Sequence, residues 1–272
     1  MSTTPNIDFN SVYGPVKSWR YGRSLGVDPI GARSTCSFNC VYCQLGEIEL
    51  KTSDRQVFVP TTKILQDLQA FAPWDVDVIT ISGSGEPTLP LNLGEIISSI
   101  KQLTHKPVAV LTNATLLNNL EVRQALCLAD KVSVKLDAIS QQQLKLIDRP
   151  VEGINWEYIW SGLKKFRVEY TGGLGIQTMI LTPWNRETKT EYIRLMRSLL
   201  PDEIQLNTPT RPKPLKYQLE ARGNHSSAAD RPYKVLTFRQ VSPDFISDFA
   251  TEISAATNIL VRHPLSHESP VS

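Results

Sequence analysis

The sequence lacks three things: a charge imbalance, a long apolar run and a generous supply of cysteine. Its 29 basic and 27 acidic residues leave a formal net charge of +2. That near-balance argues against a strong polyanion binder or an acidic-substrate funnel and leaves only a local basic patch open. No apolar stretch approaches the roughly 20 residues that cross a bilayer, and residues 1–10 lack the apolar middle of a secretory signal. A cytoplasmic protein without membrane contact is therefore expected. Four cysteines, three of them crowded into one loop, suit a reducing compartment better than a disulfide framework.

What is present begins with that loop. Cys36, Cys40 and Cys43 fall within eight residues, separated by three residues and then two. This spacing lets one loop wrap its thiolates around one metal centre. Iron prefers soft sulfur ligands, and cubic four-iron clusters are held by cysteine thiolates. A cube has four corners, so one iron stays without a protein ligand unless Cys127 closes the site. An open iron is a place for chemistry. The competing readings are a structural zinc knuckle, which wants four ligands in paired spacing, and a chance group of buried thiols. Cys127 lies between Leu126 and Leu128 on the last turn of an expected helix, where a buried, inert thiol is the favoured reading.

A second segment stands beside the first. Residues 76–82 are a β-branched run of strand type, followed at once by Gly83-Ser84-Gly85-Glu86-Pro87. Glycine lets a backbone approach a ligand closely, and a carboxylate pairs with a ligand ammonium. Alone, the segment reads as an ordinary turn before a helix.

The rest of the chain alternates element types. Residues 1–12 read as a loose lead-in, Tyr13-Gly14-Pro15-Val16 as a turn, and residues 22–27 as a first strand; residues 47–59 fit a short hairpin or a lid. Helical stripes start at Thr61 and at Leu93, the latter with Asn92 and Glu95 at capping-box spacing. Further strands are expected at 107–112, 131–136, 174–181 and 203–208, with helices at 118–128, 187–200 and 243–257. Trp156, Ile159, Trp160, Leu163 and Phe166 recur at three- and four-residue steps, which favours a core face over a base-stacking platform. Six strands separated by helices predict an α/β protein, a partial (βα)6 parallel barrel spanning 13–215, with a basic linker and a short C-terminal α/β extension over 216–272. Residues 224–230 read as a flexible loop, and Arg211, Lys213, Lys216, Arg222, Arg231, Lys234 and Arg239 form the one basic segment.

Ligand sites of parallel barrels form at the carboxyl ends of the strands. That rule selects Cys36, Cys40, Cys43, Gly83, Gly85, Glu86, Asn113, Ser133, Lys135, Asp137, Gln177, Thr178, Asn207 and Arg211. Lys135 stands out, because a lysine between Val134 and Leu136 in a buried-type strand needs an anion or a reaction. Pairing with Asp137 or a nearby glutamate is the plainer alternative.

The CxxxCxxC loop with Tyr42, the glycine-glutamate segment, Tyr13-Gly14-Pro15-Val16, Leu111-Thr112-Asn113 and Lys135-Leu136-Asp137 together resemble the radical S-adenosylmethionine (SAM) superfamily. Within it, they are similar to the branch of wyosine-forming tRNA imidazoguanosine synthetases and their shorter single-cluster bacterial relatives. The resemblance implies a [4Fe-4S] cluster on Cys36, Cys40 and Cys43 whose open iron chelates SAM. It implies SAM contacts from Tyr42, Gly83, Ser84, Gly85, Glu86, Asn113, Ser133, Lys135 and Asn207, with Lys135 and Asp137 as catalytic candidates. It also implies a flavodoxin- or ferredoxin-like electron donor and a 5′-deoxyadenosyl radical acting on an unidentified substrate, RNA among the candidates. The wyosine enzymes carry a second cluster on cysteines near the amino terminus, and here no cysteine precedes Cys36. A glycyl-radical-activating enzyme is the catalytic alternative, and a non-catalytic iron–sulfur electron carrier is the alternative from another class.

Overall fold

The computed structural model describes residues 9–223 and 232–264. Its elements run β1 (Val12–Ser18), β2 (Gly22–Val27), β3 (Thr35–Cys36), β4 (Leu50–Lys51), α1 (Thr61–Gln69), β5 (Val78–Ile81), α2 (Leu93–Thr104), β6 (Val108–Thr112), α3 (Leu120–Leu126), β7 (Lys131–Lys135), α4 (Gln141–Ile147), α5 (Trp156–Glu169), β8 (Gly173–Met179), α6 (Arg186–Leu199), β9 (Glu203–Asn207), β10 (Lys213–Pro214), β11 (Val235–Leu236), α7 (Pro243–Thr257) and β12 (Leu260–Arg262).

The principal sheet has eight strands in the order β1-β2-β5-β6-β7-β8-β9-β12. The six expected strands, β2 and β5 to β9, pair in parallel. β12 extends them in parallel, and β1 closes the other edge as an antiparallel hairpin. Strands covered on both faces read as continuous apolar runs, and all four residues of β5 are buried. The sheet curls so far that its two edges approach. Arg262, at the end of β12, donates from Nη1 to the carbonyl of Arg20 at 3.1 Å and from Nη2 to that of Trp19 at 2.9 Å, both in the β1–β2 turn.

Tyr13-Gly14-Pro15-Val16 is not the turn its composition suggests. It lies within β1, where the register slips between Tyr13 and Val16. A bulge on an edge strand accommodates Pro15, which has no N–H to give to a ladder. Helix α2 buries Leu93, Ile96, Ile97 and Ile100 as expected, but its capping box does not form. The Asn92 amide instead donates to the Val59 carbonyl at 3.1 Å and to Thr61 Oγ1 at 3.0 Å, joining the starts of α1 and α2. Side-chain caps do form at Asn119, Ser140, Asn155, Asn185 and Ser242, each worth about 1 kcal/mol.

Helix α5 puts Ile159, Leu163 and Phe166 into the core, while Trp156 and Trp160 stack on each other at 5.8 Å, half-buried. The residues beyond 215 return to the same body. Phe249 of α7 is fully buried beside Trp184 and Tyr192, with ring centroids 5.7 and 5.8 Å away, a burial worth about 1.5–3 kcal/mol. The expected loop at 224–230, with Arg231, lies outside the described residues.

Candidate active site

The site starts from two loops that leave neighbouring parallel strands. The loop after β2 carries the cysteines and the loop after β5 carries the glycine-glutamate segment. Backbone bonds stitch them together: Thr35 N donates to Ser84 O, and Glu86 N donates to Thr35 O, both at 3.0 Å. This contact explains Gly85. A Cβ there would lie 1.6 Å from Thr35 O. Gly83 has φ +147°, and a Cβ would meet Asp28 at 2.3 Å.

The cysteine loop is held from two further sides. On one, Asn39 N donates to Asp148 O and Val41 N to Ile147 O, both at 2.9 Å, so the loop docks on the end of α4. On the other, the chain through β10 lies across Gly46, whose φ is +93° and whose added Cβ would meet Lys216 O at 2.4 Å. Lys213 is buried there and reaches the Cys40 carbonyl at 3.4 Å.

Cys36, Cys40 and Cys43 line one cavity of about 650 Å³ together with Tyr42, Gly83, Gly85, Glu86, Asn113, Ser133, Lys135, Asp137, Gln177, Asn207 and Arg211. Thus the expected site residues are brought together, with two exceptions. Ser84 is turned away: its N–H and hydroxyl donate to Asp28 Oδ2, at 2.9 and 2.5 Å, and its hydroxyl accepts from Tyr217 at 3.0 Å. Thr178 faces the outer layer, bonded to the Leu136 carbonyl and the Tyr192 hydroxyl, because neighbours on a strand point to opposite faces. Cys127 is a correction of another kind. Expected to be buried, it is exposed at the C-cap of α3 and does not line the cavity. The helix buries Val122, Arg123 and Leu126, which leaves Cys127 and Leu128, at and just past its end, on the solvent side.

Glu86 is buried and its carboxylate accepts from Thr88 N at 3.0 Å, Thr88 Oγ1 at 2.7 Å, Thr112 Oγ1 at 2.6 Å and Asn113 N at 2.7 Å. Burial raises its pKa, against the lowering effect of those bonds. Asn113 in turn directs its amide to Ser37 Oγ at 3.0 Å and toward Cys36 Sγ at 3.6 Å. Lys135 answers the question its strand position raises. Its ammonium pairs with Asp137 at 2.7 Å and with Asp148, and lies over the rings of Phe38 at 5.3 Å and Tyr42 at 5.5 Å. Burial alone would lower the lysine pKa, but Asp137 and Asp148 carry it well above its usual value. Asp137 also accepts from the Tyr42 hydroxyl and from Met179 N.

Asp148, Asp28 and Arg222 are site residues that sequence reasoning missed. Asp148 follows α4, a helix of seven residues whose only announced signal is its Ser140 cap. Buried Asp28 binds Arg222 at 2.8 Å and holds Ser84 as well, so it anchors the glycine segment from beneath. The two partners stand 194 positions apart, and no local pattern connects them.

Burial pushes the thiols of Cys36, Cys40 and Cys43 up, and Cys36 feels Cys43 while Cys40 feels both of the others. Thiolates in such surroundings need a metal cation to hold them deprotonated. Among the described residues no three acidic, histidine or cysteine groups converge on one ion. A cubic cluster asks for something else, one thiolate for each of three separate irons, and three mutually close soft donors on one cavity wall fit that demand.

The radical SAM superfamily profile matches residues 34–196, which contain the cysteine loop and the glycine segment. A UPF0026 protein of Synechocystis is 57% identical over 259 residues, covering 94% of this chain and 97% of that protein. The chain belongs to the UPF0026 family of the radical SAM superfamily. A UPF0026 protein of Methanocaldococcus jannaschii is 33% identical over 211 residues, 75% of this chain and 65% of that protein. Among solved structures, native anSMEcpe with bound AdoMet aligns with a TM-score of 0.58 at 14% identity, over 89% of this chain and 64% of that one. At that identity the likeness speaks for the fold, a partial barrel shared across radical SAM enzymes. The profile match makes the chain a radical SAM enzyme, and its family implies a [4Fe-4S] cluster and SAM. No helix among the described residues is long and apolar enough to cross a membrane.

Proposed function

We propose that Cys36, Cys40 and Cys43 hold a [4Fe-4S] cluster with one open iron, and that SAM binds there against Gly83, Gly85 and the backbone beside Glu86. When bound, the pair supplies reductive SAM cleavage to a 5′-deoxyadenosyl radical able to take hydrogen from a substrate. The protein's own residues position and shelter these groups. Glu86 fixes the end of β6 against the glycine turn, Asp28 and Arg222 hold the turn from below, and Lys135 with its two aspartates supports the floor beneath Tyr42. One observation carries the reading: the Thr35 bonds to Ser84 and Glu86 join the thiol loop and the glycine segment into one wall.

Its motifs resemble those of the wyosine tRNA synthetases, which keeps RNA among the candidate substrates, but no cysteine precedes Cys36 to hold those enzymes' second cluster, which speaks against their tRNA reaction; a flavodoxin- or ferredoxin-like protein is the proposed electron donor. Of the basic residues offered for RNA contact, Lys213 and Arg222 are turned inward, leaving Arg211, Lys216, Lys234 and Arg239 exposed among those described. Anaerobic reconstitution with iron, sulfide, dithionite and SAM tests the proposal. 5′-Deoxyadenosine is expected from the wild type and not from Cys36→Ala, and its absence from a cluster-loaded wild type would overturn the reading.

A further inference from the structure

Most charged groups on the cavity wall are already engaged. Glu86 is met by four hydrogen bonds, Lys135 by Asp137 and Asp148, Arg222 by Asp28, and Arg211 donates to Gln44. Arg20 is different. It lines the cavity from the β1–β2 turn, and its Nε and Nη1 are buried with no hydrogen-bond partner among the described residues. The acid nearest in charge, Glu203, is taken by Arg262 at 3.5 Å and by the Gln205 amide.

The turn that carries Arg20 is fixed. Its Trp19 and Arg20 carbonyls are bound by Arg262, and the Trp19 ring lies 5.4 Å from the guanidinium. A desolvated guanidinium without an acceptor is costly, and an anion entering the cavity would supply the missing acceptor. The planar fork of arginine suits the two oxygens of a carboxylate or phosphate. Arg211 stands on the same wall within electrostatic reach of Arg20, so an anion between them would also relieve their repulsion.

The geometry points to Arg20 as the anchor of an anion subsite: the molecule acted on in this cavity carries a carboxylate or phosphate that docks on Arg20. The site lies at the amino-terminal end of β2, whereas the cysteines follow its carboxyl end. This assignment rests on the proposed cluster and SAM site only in taking the cavity to be the place of reaction.

The test is calorimetric titration of the full-length, anaerobically cluster-loaded protein with sodium phosphate and, separately, with sodium succinate, with SAM binding measured on the same preparation. Binding of either probe is expected. Arg20→Gln should weaken it about ten- to a hundredfold, as for a lost charged hydrogen bond, while SAM binding stays intact. A response to phosphate alone identifies a phosphorylated substrate, and a response to succinate alone a carboxylate. Arg20→Lys, which keeps the charge and loses the fork, should fall between the two and serves if the glutamine variant fails to fold. Wild-type protein that binds SAM but neither anion, or variants with unchanged anion affinity, would overturn the subsite. Failure to bind SAM at all would instead overturn the cofactor reading.

Discussion

Gly85 packs so closely on Thr35 that a Cβ would lie 1.6 Å from the Thr35 carbonyl oxygen, inside any permissible contact. The glycine therefore serves the union of two loops before it serves any ligand. Gly85→Ala should separate the thiol loop from the glycine segment, lowering stability by at least about 1–3 kcal/mol and reducing both iron content and SAM binding. Chemical denaturation with iron quantification checks this, and an alanine variant that keeps full cluster and stability would refute it.

Cys36→Ala, Cys40→Ala and Cys43→Ala should each lose the cluster, whereas Cys127→Ala should keep it, because Cys127 is exposed on α3 and away from the cavity. Iron and sulfide counts after anaerobic reconstitution decide the matter. Loss of iron from the Cys127 variant would contradict the ligand assignment.

Glu86 accepts four hydrogen bonds. Glu86→Gln turns one acceptor oxygen into a donor facing other donors, which should cost about 1–3 kcal/mol. The glycine turn would loosen with it, so SAM affinity should fall while cluster absorbance remains. Calorimetry with SAM alongside the visible spectrum separates the two effects.

Lys135→Met removes the shared cation from the buried Asp137 and Asp148 carboxylates and should destabilise the fold by about 3–5 kcal/mol, as expected for a broken buried pair. Adding Asp148→Ala should recover part of that loss, since one of the two carboxylates left without a cation is then gone. Urea unfolding of the single and double variants measures the coupling, and additive losses would exclude it.

Asp67 accepts from Ser11 N at 2.9 Å and Ser11 Oγ at 2.7 Å, and pairs with Lys63, fastening the start of β1 to α1. Burial alone would raise its pKa, but these partners bring it below the usual value. A carboxyl more acidic in the folded than in the unfolded state contributes stability above its unfolded pKa of about 3.9, and that stability is lost as pH falls through the folded value. Asp67→Asn should therefore be less stable than wild type near neutrality and lose less on acidification below about pH 4. Parallel unfolding curves at every pH would remove Asp67 from the acid response.

The parts legible in the sequence were those with local patterns. Apolar runs marked β5 and β6, three- and four-residue steps marked α2 and α6, and the crowding of Cys36, Cys40 and Cys43 marked the site. The unread parts depend on partners distant in the chain. Asn92 has a capping residue's spacing but spends its amide on Val59 and Thr61. Asp148 follows a helix too short and too glutamine-rich to show a stripe, and Arg222 reads as a solvated linker cation until the fold brings Asp28 beneath it. Arg20 lies in a hairpin turn, and nothing in its neighbours announces that its guanidinium is enclosed.

The bonds from Arg262 to the Trp19 and Arg20 carbonyls join groups 243 and 242 positions apart. Closing so long a loop is slow relative to forming the local βα units, so the seam is set late in folding. During synthesis the β1–β2 hairpin emerges first, and its two turn carbonyls wait for Arg262 until β12 has been made.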